Sequence, residues 1–188
     1  MPADERSLQD SIVIDTCCLV NLYAVGDPLA FLPTLPWIWY VPSAVADEGI
    51  YMKADPRTTE LRAMRRSRLH ECFEVGAIRA CSLEGDEAEL YVTLAADLDD
   101  GEAMALAIAK SRGWQLATDD RKGRRMATEL GVTLLCTPQI MRRWATETAA
   151  AGDEIAAALK RIQIEARFVP SDDYPECEWW RAAINAPG

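Results

Sequence analysis

Four short apolar runs, each followed by a helix-like segment, constrain the fold of this chain more than any other feature. They occupy residues 11–15, 37–41, 114–118 and 132–136. Short apolar runs of this kind are typical of strands that are buried on both faces. Strands that alternate with helices form a parallel sheet covered by helices on each side. The sequence therefore predicts an α/β fold with three layers, α/β/α, around a parallel central sheet.

Helix signals divide the rest of the chain. Asp99 predicts the N-cap of a helix that ends at Gly113, and Thr137-Pro138 predicts the start of another. Residues 78–83 fit either a short strand or an irregular link. We expect a polar N-terminal tail over residues 1–10, one domain over 11–165, and a loosely ordered C-terminal flap over 166–188, packed by its tryptophans.

Cysteine and histidine usage excludes several kinds of site. None of the six cysteines forms a C-x2-C pair, which argues against zinc, and the one histidine, His70, has no nucleophile motif nearby. Reduced cysteines in apolar runs behave as small hydrophobic side chains. The polar N-terminus and the lack of a long apolar run predict no membrane segment and a cytoplasmic location.

The net charge of −10 argues against broad attraction to nucleic acid, but the positive charge is concentrated locally. One basic cluster lies within residues 62–68, and a second contains Lys122 together with Arg121, Arg124 and Arg125. The last three share one face of a helix. Such a face either is simply solvated or binds phosphates.

Carboxylates follow the predicted strands, at the edge where ligands bind in such folds. They are Asp15, Glu48, Glu102 and the pair Asp119-Asp120. Each has a simpler explanation alone: helix caps at Asp15 and Asp120, a capping box for Glu102, and a surface position for Glu48. Together they would repel one another unless protonated or bound to a hard divalent cation. Oxygen ligands favour Mg²⁺ or Mn²⁺ over zinc.

Four segments carry a resemblance to a known family. They are IVIDT (12–16), VPSAVADE (41–48), LDDGEAMALAIAKSRG (98–113) and LATDDRKGRRMATELGV (116–132). The GEA helix, followed by a strand, T-D-D and a basic residue, is the most specific part. Over about residues 11–145 the chain resembles the PIN-domain nucleases, which include the VapC-type toxins.

The resemblance implies a set of metal ligands. By position they are Asp15, Glu48, Glu102 and Asp120, with Asp119 as the alternative to Asp120. Thr16 and Thr118 match polar positions that could orient the carboxylates or a metal-bound water. The sequence departs from the family pattern at Cys136, where relatives usually have glycine, and Asp47 could compete with its neighbour Glu48.

The activity that the resemblance implies is metal-dependent endoribonuclease action. We expect RNA to be the substrate, held in part by Arg121, Arg124 and Arg125. The family resemblance also suggests a homodimer, and an antitoxin partner if the chain is the toxin of a toxin-antitoxin pair. The alternative is a catalytically weak scaffold that binds a protein. A phosphatase or receiver domain fits poorly, because Asp15-Thr16-Cys17 is not D-x-D and no lysine lies near the last strand.

Overall fold

In the part of the chain that the structure describes, the central sheet has five parallel strands. The computed structural model describes residues 10–43 and 69–186, and its strands are β1 (Ser11–Ile14), β2 (Ile38–Pro42), β3 (Ile78–Cys81), β4 (Gln115–Ala117) and β5 (Leu134–Leu135). Their order is β3-β2-β1-β4-β5, and every pairing is parallel. The predicted α/β fold is confirmed, and the segment after residue 77 is a strand.

Helices connect the strands. They are α1 (Thr16–Ala24), α2 (Pro28–Phe31), α3 (Glu87–Leu94), α4 (Asp100–Arg112), α5 (Arg121–Glu129), α6 (Thr137–Glu147), α7 (Gly152–Arg161) and α8 (Cys177–Asn185). A 3₁₀ turn spans Leu32–Thr34, a π turn spans Ile162–Ala166, and residues 69–74 are also helical. The predicted ends of α4 are correct, because Asp99 caps its start and Gly113 closes it at a φ of 66°. No single helix in the described ranges is long and apolar enough to cross a membrane, and Thr16–Ala24 with Pro28–Thr34 passes this test only as a pair bent by 95°.

Two hydrophobic cores lie on opposite faces of the sheet. On β1, Ile12 and Ile14 face one core and Val13 faces the other, as the alternation of side chains along a strand requires. Helices α1, α6, α7 and α8 contribute to the first core, and α3, α4 and α5 to the second. The three-layer α/β/α arrangement follows from this packing.

The sheet reverses its order at β1. The chain first moves outward from β1 to β2 and β3, then returns to place β4 on the other side of β1. As a result, the loop after β1 leads to α1 on one face, whereas the loop after β4 leads to α5 on the other face. A crevice forms at the carboxyl ends of two such strands, and open α/β sheets bind their ligands there.

The C-terminal segment is more ordered than the sequence suggests. Its tryptophan packing is present as expected, because Trp180 is 1% exposed and Phe168 meets its ring edge-on at 5.9 Å. This packing fixes a helix, α8, which the sequence analysis did not predict. Phe168 also contacts Tyr174 at 5.6 Å. These contacts hold the segment before α8 against the carboxyl edge of the sheet.

Candidate active site

Asp15 directly follows β1 and is 3% exposed. Its backbone N–H donates to the carbonyl of Ala117 at 2.9 Å, which joins it to β4. Its Oδ1 accepts from the Thr16 N–H at 2.6 Å, and its Oδ2 accepts from Cys17 Sγ at 2.9 Å and Thr118 Oγ1 at 3.0 Å. Burial raises the pKa of Asp15, and the hydrogen bonds from Cys17 and Thr118 only partly offset that rise. Asp15 therefore caps α1 and is also a tightly oriented carboxylate.

Asp119 follows β4 and is almost fully engaged inside the protein. Its Oδ1 accepts from the Thr137 N–H at 3.0 Å. Its Oδ2 accepts from Asn21 Nδ2 at 2.8 Å, from Cys18 Sγ at 3.0 Å and from the Thr137 hydroxyl. Asn21 and Cys18 lie on α1, and Thr137 begins α6. One buried carboxylate thus joins the ends of β4, α1 and α6.

Asp120 points to a different environment from its neighbour. It is half-buried and caps α5, because its Oδ1 accepts from the Gly123 N–H at 2.7 Å. Its own N–H donates to Thr118 Oγ1 at 3.1 Å. The side chain lines the cleft that also contains Glu102. Both acids of T-D-D border the cleft, but the carboxylate oxygens of Asp119 are engaged by α1 and α6, whereas Asp120 uses one oxygen to cap α5.

Glu102 lies in the first turn of α4. Its N–H donates to Asp99 Oδ1 at 2.9 Å, as the expected cap requires. Its carboxylate lines the cleft, and no side chain in the described part of the chain donates a hydrogen bond to it. Burial, and then the negative charges of Asp99, Asp120 and Asp15, raise the pKa of Glu102 to about 7. Two other predicted site residues, Asp15 and Asp120, therefore act on Glu102 electrostatically, together with Asp99, for which the sequence predicts only a capping role.

The acidic cleft has a volume of about 400 Å³. Glu102, Asp119 and Asp120 line it on one side, and the C-terminal segment lines it with Ala166, Arg167, Phe168 and Tyr174. The Tyr174 hydroxyl donates to the backbone carbonyl of Asp119 at 2.5 Å. Residues far from the predicted motif therefore form part of the candidate site.

A larger basic cleft of about 880 Å³ adjoins the acidic one at Asp120. Arg121, Lys122, Arg124 and Arg125 line it, as does Gln139 from α6. Arg124 is not free, because it pairs with Asp173 at 3.1 Å and stacks over the Tyr174 ring at 3.9 Å. Arg125 pairs with Glu129 at 3.6 Å on the surface, and Lys122 pairs with Asp97 at 3.0 Å.

Sequence motifs did not predict the polar network that supports the acids. Cys17 and Cys18 were interpreted as small hydrophobic residues, whereas both donate hydrogen bonds to site carboxylates. Asn21 is a buried polar residue within an apolar helix, and that contrast was the available signal. Thr16 supports Asp15 through its backbone N–H, and Thr118 does so through its hydroxyl.

Two departures from the expected motif have different outcomes. Cys136 stands where relatives usually have glycine, but its φ is −119°, a backbone conformation that needs no glycine. It is buried at the N-cap of α6, where its N–H donates to Gln139 Oε1 at 3.0 Å. Glu48 and its competitor Asp47 lie outside the described residues, as does the first basic cluster at residues 62–68. Their assignment stays a prediction.

The candidate site offers two kinds of metal ligand, cysteine thiols and carboxylate oxygens. In residues 10–43 and 69–186, Cys17 Sγ, Cys18 Sγ and a carboxylate oxygen of Asp119 lie within 4.8 Å of one another. Burial raises the pKa of Cys18 well above its usual value, and both thiols already donate hydrogen bonds to carboxylates. Protonated thiols are poor ligands. The negative charges of Asp15 and Asp120 act on Glu102, and carboxylate oxygens suit a hard divalent cation better than protonated thiols do.

The chain matches the model of a known protein family. A family model described as a PIN domain matches residues 11–177, which includes the acidic cleft, the basic cleft and the first residue of α8. The matched range extends further toward the C-terminus than the motifs in the sequence. No curated protein matches the chain.

Proposed function

The chain belongs to the PIN-domain family, and from that premise we propose that it is a metal-dependent endoribonuclease. PIN domains are generally nucleases, which sets the class of reaction. The finer assignment, RNA cleavage that depends on Mg²⁺ or Mn²⁺, is our proposal. The observation that carries it is that the charges of Asp15 and Asp120, which Thr118 joins by hydrogen bonds, act on Glu102 at the point where the sheet order reverses.

The electrostatics favour a site that is completed by a cation. A glutamate whose pKa rises to about 7 in a folded protein is held among groups that disfavour its charge. No described side chain relieves it through a hydrogen bond. Asp15, Glu102 and Asp120 would hold the ion, with Glu48 as a further predicted ligand. When bound, Mg²⁺ or Mn²⁺ supplies an acidified water and positive charge near the scissile phosphate, so that no histidine base is needed.

The protein's own residues keep the acids in place. Thr118 accepts from the Asp120 N–H and donates to Asp15, so that one hydroxyl sets both carboxylates relative to each other. Asp119 is assigned a positioning role, because its oxygens are already engaged by α1 and α6. These contacts support Asp120 as the ligand in our proposal and argue against the alternative in which Asp119 takes that role.

The adjoining basic cleft supports RNA as the substrate. Phosphates bound by Arg121 and Arg125 would lie next to Asp120, which borders both clefts. Arg124 is half-buried and stacks over the Tyr174 ring, so it would contribute mainly by holding the cleft wall in place. A toxin role, an antitoxin partner and homodimerisation stay proposals that follow from the family. The second candidate function is a scaffold with weak or no catalysis, and the retained acids argue against it.

Cleavage of single-stranded RNA tests the proposal. We expect the purified protein to cut RNA in millimolar Mg²⁺ or Mn²⁺ and to stop when a chelator is added. Asp15→Asn should abolish cleavage while the protein remains folded, since the amide preserves the shape and removes like-charge repulsion. Arg143→Ala, on an exposed pair with Glu147, is the matched control and should cleave normally. Full activity of Asp15→Asn, or activity in chelator, would contradict the mechanism.

A further inference from the structure

Arg167 adopts a backbone conformation that is unusual for its residue type. The π turn Ile162–Ala166 follows α7, and Arg167 closes it with φ 56° and ψ 33°. Its N–H donates to the carbonyl of Ile162. A side chain with a Cβ is strained in this left-handed region, whereas glycine is not. Both π turns and strained residues concentrate at functional sites.

The strained turn places Arg167 at the acidic cleft. The residue lines the same cleft as Glu102 and Asp120, and it is exposed. Its guanidinium takes part in no ion pair or hydrogen bond within the described residues, although Glu102 and Asp120 line the same cleft. The cations of the adjoining basic cleft are mostly paired, as Arg124 is with Asp173 and Arg125 is with Glu129. Arg167 therefore lies next to the site, and its charge is not paired with any residue that the structure describes.

We propose that Arg167 binds a phosphate of the RNA substrate next to the catalytic acids. The proposal rests on the proposed ribonuclease function. A guanidinium presents paired N–H donors that match two oxygens of one phosphate, which an ammonium group does not. RNA would then be held by the basic cleft on the α5 side and by Arg167 on the C-terminal wall. The C-terminal segment is part of the substrate site in this arrangement.

Arg167→Gly tests the proposal, because glycine removes the guanidinium and also relieves the backbone strain. Ala149→Gly is the matched control: Ala149 is also exposed and left-handed, with φ 50°, in the turn between α6 and α7 at the far end of α6 from the site. The two replacements share their backbone effects and differ in the lost side chain. Arg167→Lys keeps the charge without the paired donors.

We expect Arg167→Gly to keep or raise the thermal midpoint while kcat/KM for a single-stranded RNA falls at least tenfold. RNA binding is measured in the absence of divalent cation, so that no cleavage occurs. Under these conditions the RNA affinity of Arg167→Gly should be several-fold lower than that of wild type, and the salt dependence of binding should weaken by about one charge. Arg167→Lys should recover part of both, and Ala149→Gly should cleave normally. Wild-type-like cleavage and binding by Arg167→Gly would refute the proposal. So would a lowered thermal midpoint restored by Arg167→Lys, which would make the arginine a stabilising charge.

The outcomes also separate this inference from the proposed function. If the wild-type protein neither cleaves nor binds RNA, the ribonuclease function fails and the role of Arg167 fails with it. If the wild-type protein cleaves RNA in Mg²⁺ and Arg167→Gly does so equally well, only the inference about Arg167 fails.

Discussion

The Thr118 hydroxyl donates a 3.0 Å hydrogen bond to Asp15 Oδ2 and so joins the ends of two neighbouring strands at the candidate site. The hydroxyl oxygen of Thr118 also accepts a hydrogen bond from the Asp120 N–H at 3.1 Å. One buried side chain thus holds Asp15 and Asp120 in place, although these two acids are 105 residues apart in the chain (120 − 15). This relation makes Thr118 a sharper probe of the site than any of its acids.

Replacing Thr118 with valine should impair activity more than stability. Valine has the same shape, but it removes a donor to Asp15 and an acceptor for the Asp120 N–H. We expect a loss of about 1–2 kcal/mol in the free energy of unfolding. The pKa of Asp15 should rise further, because that hydrogen bond lowers it. Urea denaturation and the pH profile of RNA cleavage measure both effects. Thr118→Ser keeps the hydroxyl and should behave nearly as wild type, and equal loss in both variants would contradict this role.

Asp119 and Asp120 should respond oppositely to replacement. Asp119→Ala leaves the N–H and hydroxyl of Thr137 and the amide of Asn21 without their buried acceptor, at a cost of about 3 kcal/mol or more. Asp120→Asn keeps an oxygen to cap α5 and removes one negative charge from the cleft. It should therefore abolish cleavage with stability unchanged or higher. Urea denaturation beside an RNA cleavage assay tests the pair, and a stable, inactive Asp119→Ala would reverse the two assignments.

The raised pKa of Glu102 predicts a pH dependence of stability in the absence of metal. Because its pKa is about 7 in the folded protein and 4.5 ordinarily, the folded state holds the proton more tightly. Stability is then greatest at low pH within this window and falls as pH rises from about 4.5 to 7. Since the side chain is partly solvated, we expect a change on the order of 1 kcal/mol. Asp15, whose pKa is also raised, adds to the same slope.

Urea denaturation in chelator at pH 5, 6, 7 and 8 measures this slope. Glu102→Gln should flatten it and should be more stable than wild type at pH 8, because the amide does not ionise. Glu89→Gln is the control, on an exposed glutamate of α3. An identical slope in wild type and Glu102→Gln would mean that the neighbouring acids do not act on Glu102.

The fold was accessible from the sequence because its signals are local. Apolar runs ending in Asp15 and Thr118, and the caps of α4, depend on residues within one turn or strand. The supporting network depends on pairs that are distant in the chain: Asn21 and Asp119 are 98 residues apart, and Asn21 and Thr137 are 116 apart. The periodicity of apolar residues does not indicate which residues so far apart in the chain will pair. The C-terminal helix was missed for the same reason, since its order depends on Trp180 packing against the core.

The three arginines predicted to share one face of α5 should have two different roles: Arg124 stabilises the fold, and Arg121 and Arg125 bind RNA. Arg124 stacks over Tyr174 at 3.9 Å and pairs with Asp173, and its side chain is only 15% exposed. Arg124→Ala should therefore lower the thermal midpoint by loosening the C-terminal segment from the site. Arg121 and Arg125 are exposed, so their double replacement with alanine should leave the midpoint unchanged.

The same double variant should weaken RNA binding and reduce its salt dependence by one to two charges, because each arginine that contacts a phosphate releases about one counterion. The measurement is a salt titration of RNA binding in chelator. Arg143→Ala, which removes a positive charge on α6 outside the basic cleft, controls for net charge. If that control weakens binding as much as the double variant does, the net charge of −10 governs RNA affinity and the α5 face has no specific role. If Arg121 and Arg125 alone lower the salt dependence, phosphates bind beside Asp120, where the proposed mechanism needs them.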